Sequence, residues 1–315
     1  MRARSPTSAR LVLFLGQNHL QVYYWDGGPR LGQTFSGPPE TTLRKVRLPR
    51  NAEVDVLLES DLYQMLSMSW KLDPPPQSAL RLNVAALTKE GPEKIVAAYV
   101  VGSRGTLLAY TASRELVQEV SSALKGARAI QTYPKVLAFF RYWKNASPVV
   151  SQGNGLWLFH QHDRLDVFVS EQGALRNYWR APLNESATQI LSEAIDAVPR
   201  PLNTPLFAVL ATTEEEVAQV SEVLAEMGFE VLSSHLSPEE KARQCVEGAV
   251  AGASLEGQWN LTSAAVLEEI RPPSLKPSAA RTLAAGGLIA LTMFGYGFWA
   301  HNAQKGKIAQ LQADL

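Results

Sequence analysis

The chain has a single cysteine in 315 residues, Cys245, so no intramolecular disulfide can hold it together. That points to a reducing compartment and sets disulfide-stapled secreted scaffolds aside. An excess of charge is missing too, because 30 Lys and Arg balance 30 Asp and Glu. A general nucleic-acid binder carries a basic excess or stripe, so no nucleic-acid partner is expected. Gly27-Gly28 is followed by neither a Lys-Ser/Thr pair nor a G-x-G-x-x-G pattern, and reads as hairpin punctuation rather than a phosphate loop. No Ser-His-Asp or Cys-His grouping finds local support, and no catalytic residue is assigned. What is present is a core: 46 % of the residues are hydrophobic and 19 % charged, which excludes disorder across the chain.

Long apolar runs are absent except for one. Thr282 to Ala300 reads TLAAGGLIALTMFGYGFWA, without charge or proline. A bilayer core needs about 20 helical residues, so this stretch just spans. Tyr296 and Trp299 lie near one end, where amphipathic rings favour the interface, and Gly286, Gly287, Gly295 and Gly297 suit close helix contact in lipid. The N-terminus has a basic start but an apolar run broken by Gly16 and Gln17, a poor signal peptide. The large N-terminal part is therefore expected in the cytoplasm, with the tail on the far side. Ile308, Leu311 and Leu315 fall at spacings of three and four, the start of a coiled-coil-like helix, and the pattern is expected to continue beyond Leu315.

The soluble part contains a repeat. Leu11–Gly28 lies over Leu156–Gly173 without a gap, placing Leu13 over Leu158, Phe14 over Phe159, Leu20 over Leu165 and Val22 over Val167. Each copy reads as strand, turn, alternating strand, glycine turn and third strand, the latter near Pro29–Phe35 and Ala174–Arg180. Beyond the first copy, Glu53–Ser60 is expected as a strand with a following helix, and Ala79–Ala112 as strands joined by turns. Helices are expected over Ser113–Ala127, Lys135–Ala146, Glu185–Val198, Thr213–Gly228 with Thr213 as N-cap, and Pro238–Leu255. Leu206–Thr212 and Phe229–Ser234 read as strands. Asp73–Gln77 is a proline-rich hinge, and Glu268–Ala279 a proline-stiffened linker.

Two meander-plus-helix copies in one chain resemble the superfamily of actin, hexokinase and the heat-shock chaperone ATPases. The run AVAGASLEGQWNL (Ala249–Leu261), then a proline-broken linker, one span and a heptad-like tail, resembles the inner-membrane platform proteins of type II secretion and type IV pili. The nearest likeness is to the L component of type II secretion (GspL-like). The other form is the pilus M component (PilM-like) fused to a PilN-like span.

The resemblance implies an α/β actin-like fold with two duplicated RNase H-like subdomains, followed by a transmembrane helix. The cytoplasmic domain would cover residues 1–267, with halves near 10–150 and 151–267. The linker would be 268–281, the span 282–300, and the periplasmic helical segment would begin at 301–315. It also implies phosphate- and adenosine-binding segments. A nucleotide-binding first hairpin places an acid before its glycine to order Mg²⁺. Here Phe14 stands in that place ahead of Gly16. The second hairpin, His160-Gln161-His162-Asp163, has no glycine, and the adenosine loop, Leu210-Ala211-Thr212-Thr213, lacks its paired glycines. No cofactor is therefore expected.

Other chemistry-bearing residues read as structural. His160 and His162 share a strand face, but nothing is spaced to complete a metal site, so no metal is assigned. Cys245 reads as a packing residue, and Arg141-Tyr142-Trp143-Lys144 as a helix end with buried rings. Asn145, Asn184 and Asn260 begin glycosylation sequons that a cytoplasmic domain would not present. The expected function is a non-enzymatic, single-pass platform in the bacterial inner membrane. Its expected partners are a cytosolic motor ATPase, sister bitopic inner-membrane subunits and a second copy in a homodimer. The alternative is a membrane-anchored ATP-binding enzyme of the actin/hexokinase superfamily.

Overall fold

The computed structural model describes residues 9–71, 75–161, 164–182, 185–211, 220–233 and 236–263. All belong to one compact unit. The expected linker, span and tail at 268–315, and the N-cap Thr213, lie outside the described residues. Among the described residues, no helix is long and apolar enough to cross a membrane.

Three strands open the chain: β1 (Arg10–Leu15), β2 (His19–Trp25) and β3 (Pro29–Ser36). Then come β4 (Glu53–Leu58), β5 (Gln64–Ser69), β6 (Ile95–Val101), β7 (Thr106–Ser113) and β8 (Ala129–Pro134). The second half follows with β9 (Asn154–Gln161), β10 (Arg164–Glu171), β11 (Ala174–Pro182), β12 (Leu206–Ala211) and β13 (Glu230–Ser233). The first sheet is ordered β3-β2-β1-β4-β8 and the second β11-β10-β9-β12-β13. In both, the first three strands pair antiparallel and the next two join parallel. The central strands are buried along nearly their whole length, Leu11–Leu15 in β1 and all of β9, as parallel strands covered on both faces require.

The two hairpins also share their register. Leu15 pairs with Leu20 and Leu11 with Tyr24 in the first; His160 pairs with Leu165 and Leu156 with Val169 in the second. These are the positions that the gapless alignment of the two copies superimposes.

Between β4 and β8 the chain departs from the expected elements. No helix follows β4; the chain turns into β5, which joins β6 and β7 in a third antiparallel sheet ordered β5-β7-β6. Gln77–Thr88 is a helix, although strand was expected from Ala79 onward. Its buried face carries Leu80, Val84 and Ala85, yet Leu82 and Leu87 are exposed on the other side, so the polar-apolar alternation that betrays a helix is missing. The remaining expected helices appear as Arg114–Ala123, Lys135–Ala146, Glu185–Ala197, Val220–Glu226 and Pro238–Ala251. Ser113 and Ser237 cap the first and last of these through their side chains.

The segment Gly252–Ser263, which holds the second half of the AVAGASLEGQWNL run, crosses two sheet edges. Tyr99 and Val101 on β6 donate their backbone N–H groups to Gln258 and Glu256 carbonyls at 3.0 and 2.9 Å. Farther on, the Thr132 N–H on β8 donates to Asn260 Oδ1 at 2.8 Å, and Asn260 Nδ2 donates to the Ile130 carbonyl at 3.2 Å. Thr262 Oγ1 donates to that same carbonyl at 3.1 Å. Asn260 and Thr262, which match a sequon, thus serve as a cap on a strand edge. Trp259 anchors the crossing: its carbonyl accepts from the Tyr110 hydroxyl, and its ring meets Tyr133 edge-on at 4.9 Å.

Beneath this strap Asp55 on β4 is almost wholly buried, 3.4 Å from the Tyr133 hydroxyl and 3.6 Å from Arg10 Nη2. Burial raises its carboxyl from 3.8 to about 6 against the pull of Arg10 and Arg141. The folded protein therefore holds a proton that the unfolded chain releases between those values, and stability falls as pH rises through that window. Asp55→Asn is expected to flatten this fall and to stabilise the protein at pH 7 by up to about 3 kcal/mol. Urea unfolding at pH 4.5 and pH 7 measures both; an unchanged slope would show that Asp55 does not control it.

Candidate functional site

Gly16, Glu59 and Lys135 directly follow β1, β4 and β8, three neighbouring parallel strands of the first sheet. The carboxyl ends of such strands are where α/β sheets bind ligands. In this protein the groups gathered there bind one another.

Phe14 is fully buried at the end of β1, its ring 4.7 Å from that of Tyr23. Lys135 Nζ stands 4.3 Å above the Phe14 ring and 2.7 Å from Glu59 Oε1. Burial alone would pull the Lys135 ammonium down; the Glu59 carboxylate outweighs it and holds the group above the ordinary lysine value. His19 Nε2 lies 4.0 Å from the same Glu59 oxygen. The imidazole packs against the glycine: a Cβ on Gly16 would stand 2.3 Å from His19 Cε1. The His19 ring thus lies directly over Gly16 in the turn after β1. The next N–H, that of Gln17, donates to Asp61 Oδ2 at 2.9 Å, so a carboxylate already occupies the turn's donor.

The second half contributes a cation and a buried carboxylate. Lys241, on the Pro238–Ala251 helix, donates to the His160 carbonyl at 2.7 Å. Burial, reinforced by the charge of Lys135, lowers its ammonium. Cys245, one turn along, is buried and its thiol is pushed up to about 12 by desolvation, which leaves it a packing residue rather than a nucleophile.

Asp166, on β10, is fully buried and holds the halves together. It accepts from Tyr178 at 2.7 Å, from Arg180 Nε at 2.7 Å, from Tyr63 at 3.2 Å and from Gln161 at 3.3 Å. Arg180 Nη1 continues to the Ser60 and Tyr63 carbonyls, each at 3.0 Å. The Ser60 N–H returns to Gln161 Oε1 at 3.2 Å. Every residue of Glu59–Tyr63 except Leu62 is thus tied, through side chain or backbone, to Lys135, to the first hairpin or to the second half.

The outer side of the same loop borders a cavity of about 1050 Å³ between it, Lys89–Ile95 and the start of the Arg114–Ala123 helix. Glu40, Asp61, Glu90, Glu115 and Glu119 line it, against Lys89, Lys94 and Arg164, so carboxylates prevail.

The residues that sequence reasoning singled out are only partly brought together. Phe14 and Gly16 share the first hairpin with His19, whereas His160 is held in the second half, its carbonyl accepting from Lys241. His162, Asp163, Thr212 and Thr213 lie outside the described residues. Among the described residues no group of three His, Cys, Asp or Glu could hold a metal. Arg141 is no surface patch: its Nη1 donates to the Tyr133 hydroxyl at 2.8 Å and its guanidinium lies 5.2 Å from the Trp259 ring. Glu59, Asp61, Lys135, Asp166 and Arg180 were not singled out. A signal existed for one of them, since Glu59 is the first charged residue after a buried strand.

No protein-family model matches the chain, and no curated protein matches it. Among solved structures, a Bacteroides thetaiotaomicron protein of unknown function with an actin-like ATPase fold overlays with a TM-score of 0.51. The two are 9 % identical, over 71 % of this chain and 90 % of that one. The fold is actin-like. Two further solved structures overlay less closely. One is the cytoplasmic domain of EpsL, an inner-membrane component of the Vibrio cholerae type II secretion system, with a TM-score of 0.47. It is 15 % identical over 82 % of this chain and all of that one. The other is the PilM–PilN type IV pilus biogenesis complex, with a TM-score of 0.46 at 13 % identity over 85 % of this chain and all of that one.

Removing Asp166 strands a buried guanidinium. Asp166→Ala is expected to cost about 3–5 kcal/mol, and the double variant Asp166→Leu/Arg180→Met to recover most of it. Denaturant midpoints read both; a double variant as unstable as the single would mean that the network supplies more than charge pairing.

Proposed function

We propose that this protein is a bitopic platform subunit of a type II secretion or type IV pilus machine. It recruits a cytosolic motor ATPase and links it to periplasmic partners, without catalysis of its own. The observation that carries this reading is the self-occupied first hairpin: Gly16 under His19, the Gln17 N–H on Asp61, and Lys135 on Glu59. A nucleotide phosphate entering there would have to displace an imidazole and a buried ion pair while approaching two carboxylates. An actin-like fold engaged in this way serves as a rigid body that presents surfaces. The carboxylate-rich cavity beside Glu59–Tyr63 offers a basic segment of a partner a place to dock.

The anchoring half of the proposal rests on sequence. Thr282–Ala300 has the length and composition of a single span, and Ile308, Leu311 and Leu315 beyond it would pair with a sister subunit or a second copy.

Calorimetric titration of the full chain in detergent with Mg-ATP is expected to give no binding at micromolar nucleotide. Micromolar affinity would instead support the anchored ATP-binding enzyme. For the anchor, Leu291→Arg places a charge at mid-span at a cost of about 2.5–3.5 kcal/mol. It is expected to shift the protein from the membrane to the soluble fraction, and a variant that stays in carbonate-washed membranes would sink the single-span topology.

A further inference from the structure

The net charge of zero hides a separation of charge within the first half. Residues 44–50 read RKVRLPR, four cations in seven residues. Arg44 is bound to Glu119 at 3.0 Å. The others alternate with apolar side chains: Val46 and Leu48 pack against the core, which leaves Lys45, Arg47 and Arg50 exposed. The end of the Arg114–Ala123 helix lies alongside. There the Arg128 N–H donates to the Ala52 carbonyl at 2.7 Å, and a Cβ on Gly126 would stand 3.9 Å from Leu48 Cδ1. That contact adds the exposed Lys125 and Arg128 to the same surface. The nearby acid, Glu53, is held by Arg10 and Arg128 at 3.7 and 3.6 Å. Among the described residues, no carboxylate lies within ion-pair distance of Lys45, Arg47, Arg50 or Lys125.

We infer that this cationic surface docks on the anionic phospholipid headgroups of a membrane, a step that rests on the membrane-anchored reading above. Its place in the fold favours that partner. β1, β4 and β8 begin here, at Arg10, Glu53 and Ala129, whereas the candidate site lies at their far ends, about 20 Å away. The strap finishes at the same place. Leu261 donates its N–H to the Thr132 carbonyl at 2.9 Å, and Thr262 Oγ1 donates to the Ile130 carbonyl, two residues past Arg128. In the sequence, Arg271, Lys276 and Arg281 come next, with no acid over 271–281. The patch therefore stands where the chain sets out toward the expected span.

Reach and charge agree with this. Residues 264–281 extend at most about 60 Å, which holds the patch near a bilayer at roughly millimolar effective concentration. Each cation close to an anionic surface raises binding about fivefold, so a few suffice on a tether. The four unpaired cations sit on a loop and a helix end, and none lines the cavity described above, so they suit a sheet of charge rather than one small anion. The balanced charge of the whole chain argues against a nucleic acid.

The test uses the full chain with Ser122→Cys, an exposed position on the last turn of the Arg114–Ala123 helix, carrying a fluorescent donor. The native Cys245 is buried, so background labelling is low. The chain is reconstituted into phosphatidylcholine vesicles with or without one third phosphatidylglycerol, each holding a headgroup-linked acceptor. Energy transfer is expected to be higher in the anionic vesicles. The gain is expected to vanish in about 1 M salt, where the screening length falls to about 3 Å. Lys45→Glu/Arg47→Glu/Arg50→Glu is expected to abolish it as well, binding falling more than about a hundredfold. These side chains are exposed and unpaired, so the fold survives, and circular dichroism checks that. Equal transfer in both mixtures, or a gain that persists in the triple variant, would overturn the proposal. So would binding of duplex DNA at physiological salt that the triple variant loses, which assigns the patch to nucleic acid. Flotation separates the patch from the anchor. A chain that does not float with neutral vesicles refutes the span. The patch is then read from flotation with anionic vesicles, which the triple variant is expected to lose; no flotation with these either refutes the patch too.

Discussion

A carboxylate taken wholly out of water has to be answered by its surroundings, and in this protein the answer comes from the other half of the molecule. Asp166 satisfies Arg180, two tyrosines and a glutamine, and Arg180 in turn satisfies the backbone of Ser60 and Tyr63. Buried ion pairs of this kind contribute little net stability, since desolvation offsets much of the attraction. Their effect is on geometry: any relative movement of the two sheets would leave a charge unpaired in a dry environment. The Glu59–Tyr63 loop is fixed from that side, and so are the carboxylates of Glu59 and Asp61 that fill the first hairpin.

That arrangement reverses the usual economy of the fold. In a nucleotide-binding hairpin the backbone donors and the cation stay unsatisfied until the ligand arrives, and the halves close around it. Here the Asp61 carboxylate accepts from the Gln17 N–H and the His19 imidazole packs over Gly16, so the turn after β1 is engaged by the chain's own side chains. Phe14, at the position where the sequence resemblance led one to look for an acid, supports the Lys135 ammonium with its ring.

The duplicated hairpins are legible in the sequence because the first turn keeps its length, so the same offset that aligns Leu11 with Leu156 also superimposes the pairing of β1 with β2 on that of β9 with β10. The helices Lys135–Ala146 and Pro238–Ala251 are legible for a similar reason, since each follows a proline or serine stop and carries an apolar face. The Gln77–Thr88 helix is not, because its exposed leucines erase the contrast between faces. The strand β5 is hidden because the turn at Glu59–Tyr63 is shaped by Arg180 and Asp166, which lie more than a hundred residues away in sequence. For the site, the missing acid at Phe14 is visible locally, whereas the pairing of Glu59 with Lys135 joins residues 76 apart and needs the parallel strands to bring them together. Spacing rules cannot supply that.

The strap at Gly252–Ser263 has a consequence for synthesis. Its bonds to β6, β7 and β8 join residues separated by 128 to 159 positions, and it is the last described segment to leave the ribosome. Until then the outer edges of β6 and β8 offer unpaired backbone groups, the pattern that invites strands from neighbouring chains. Native pairing of those edges closes long loops and is slow to form. The nascent chain is therefore most prone to aggregation just before Trp259 and Asn260 emerge, and a product ending ahead of them would carry both edges bare.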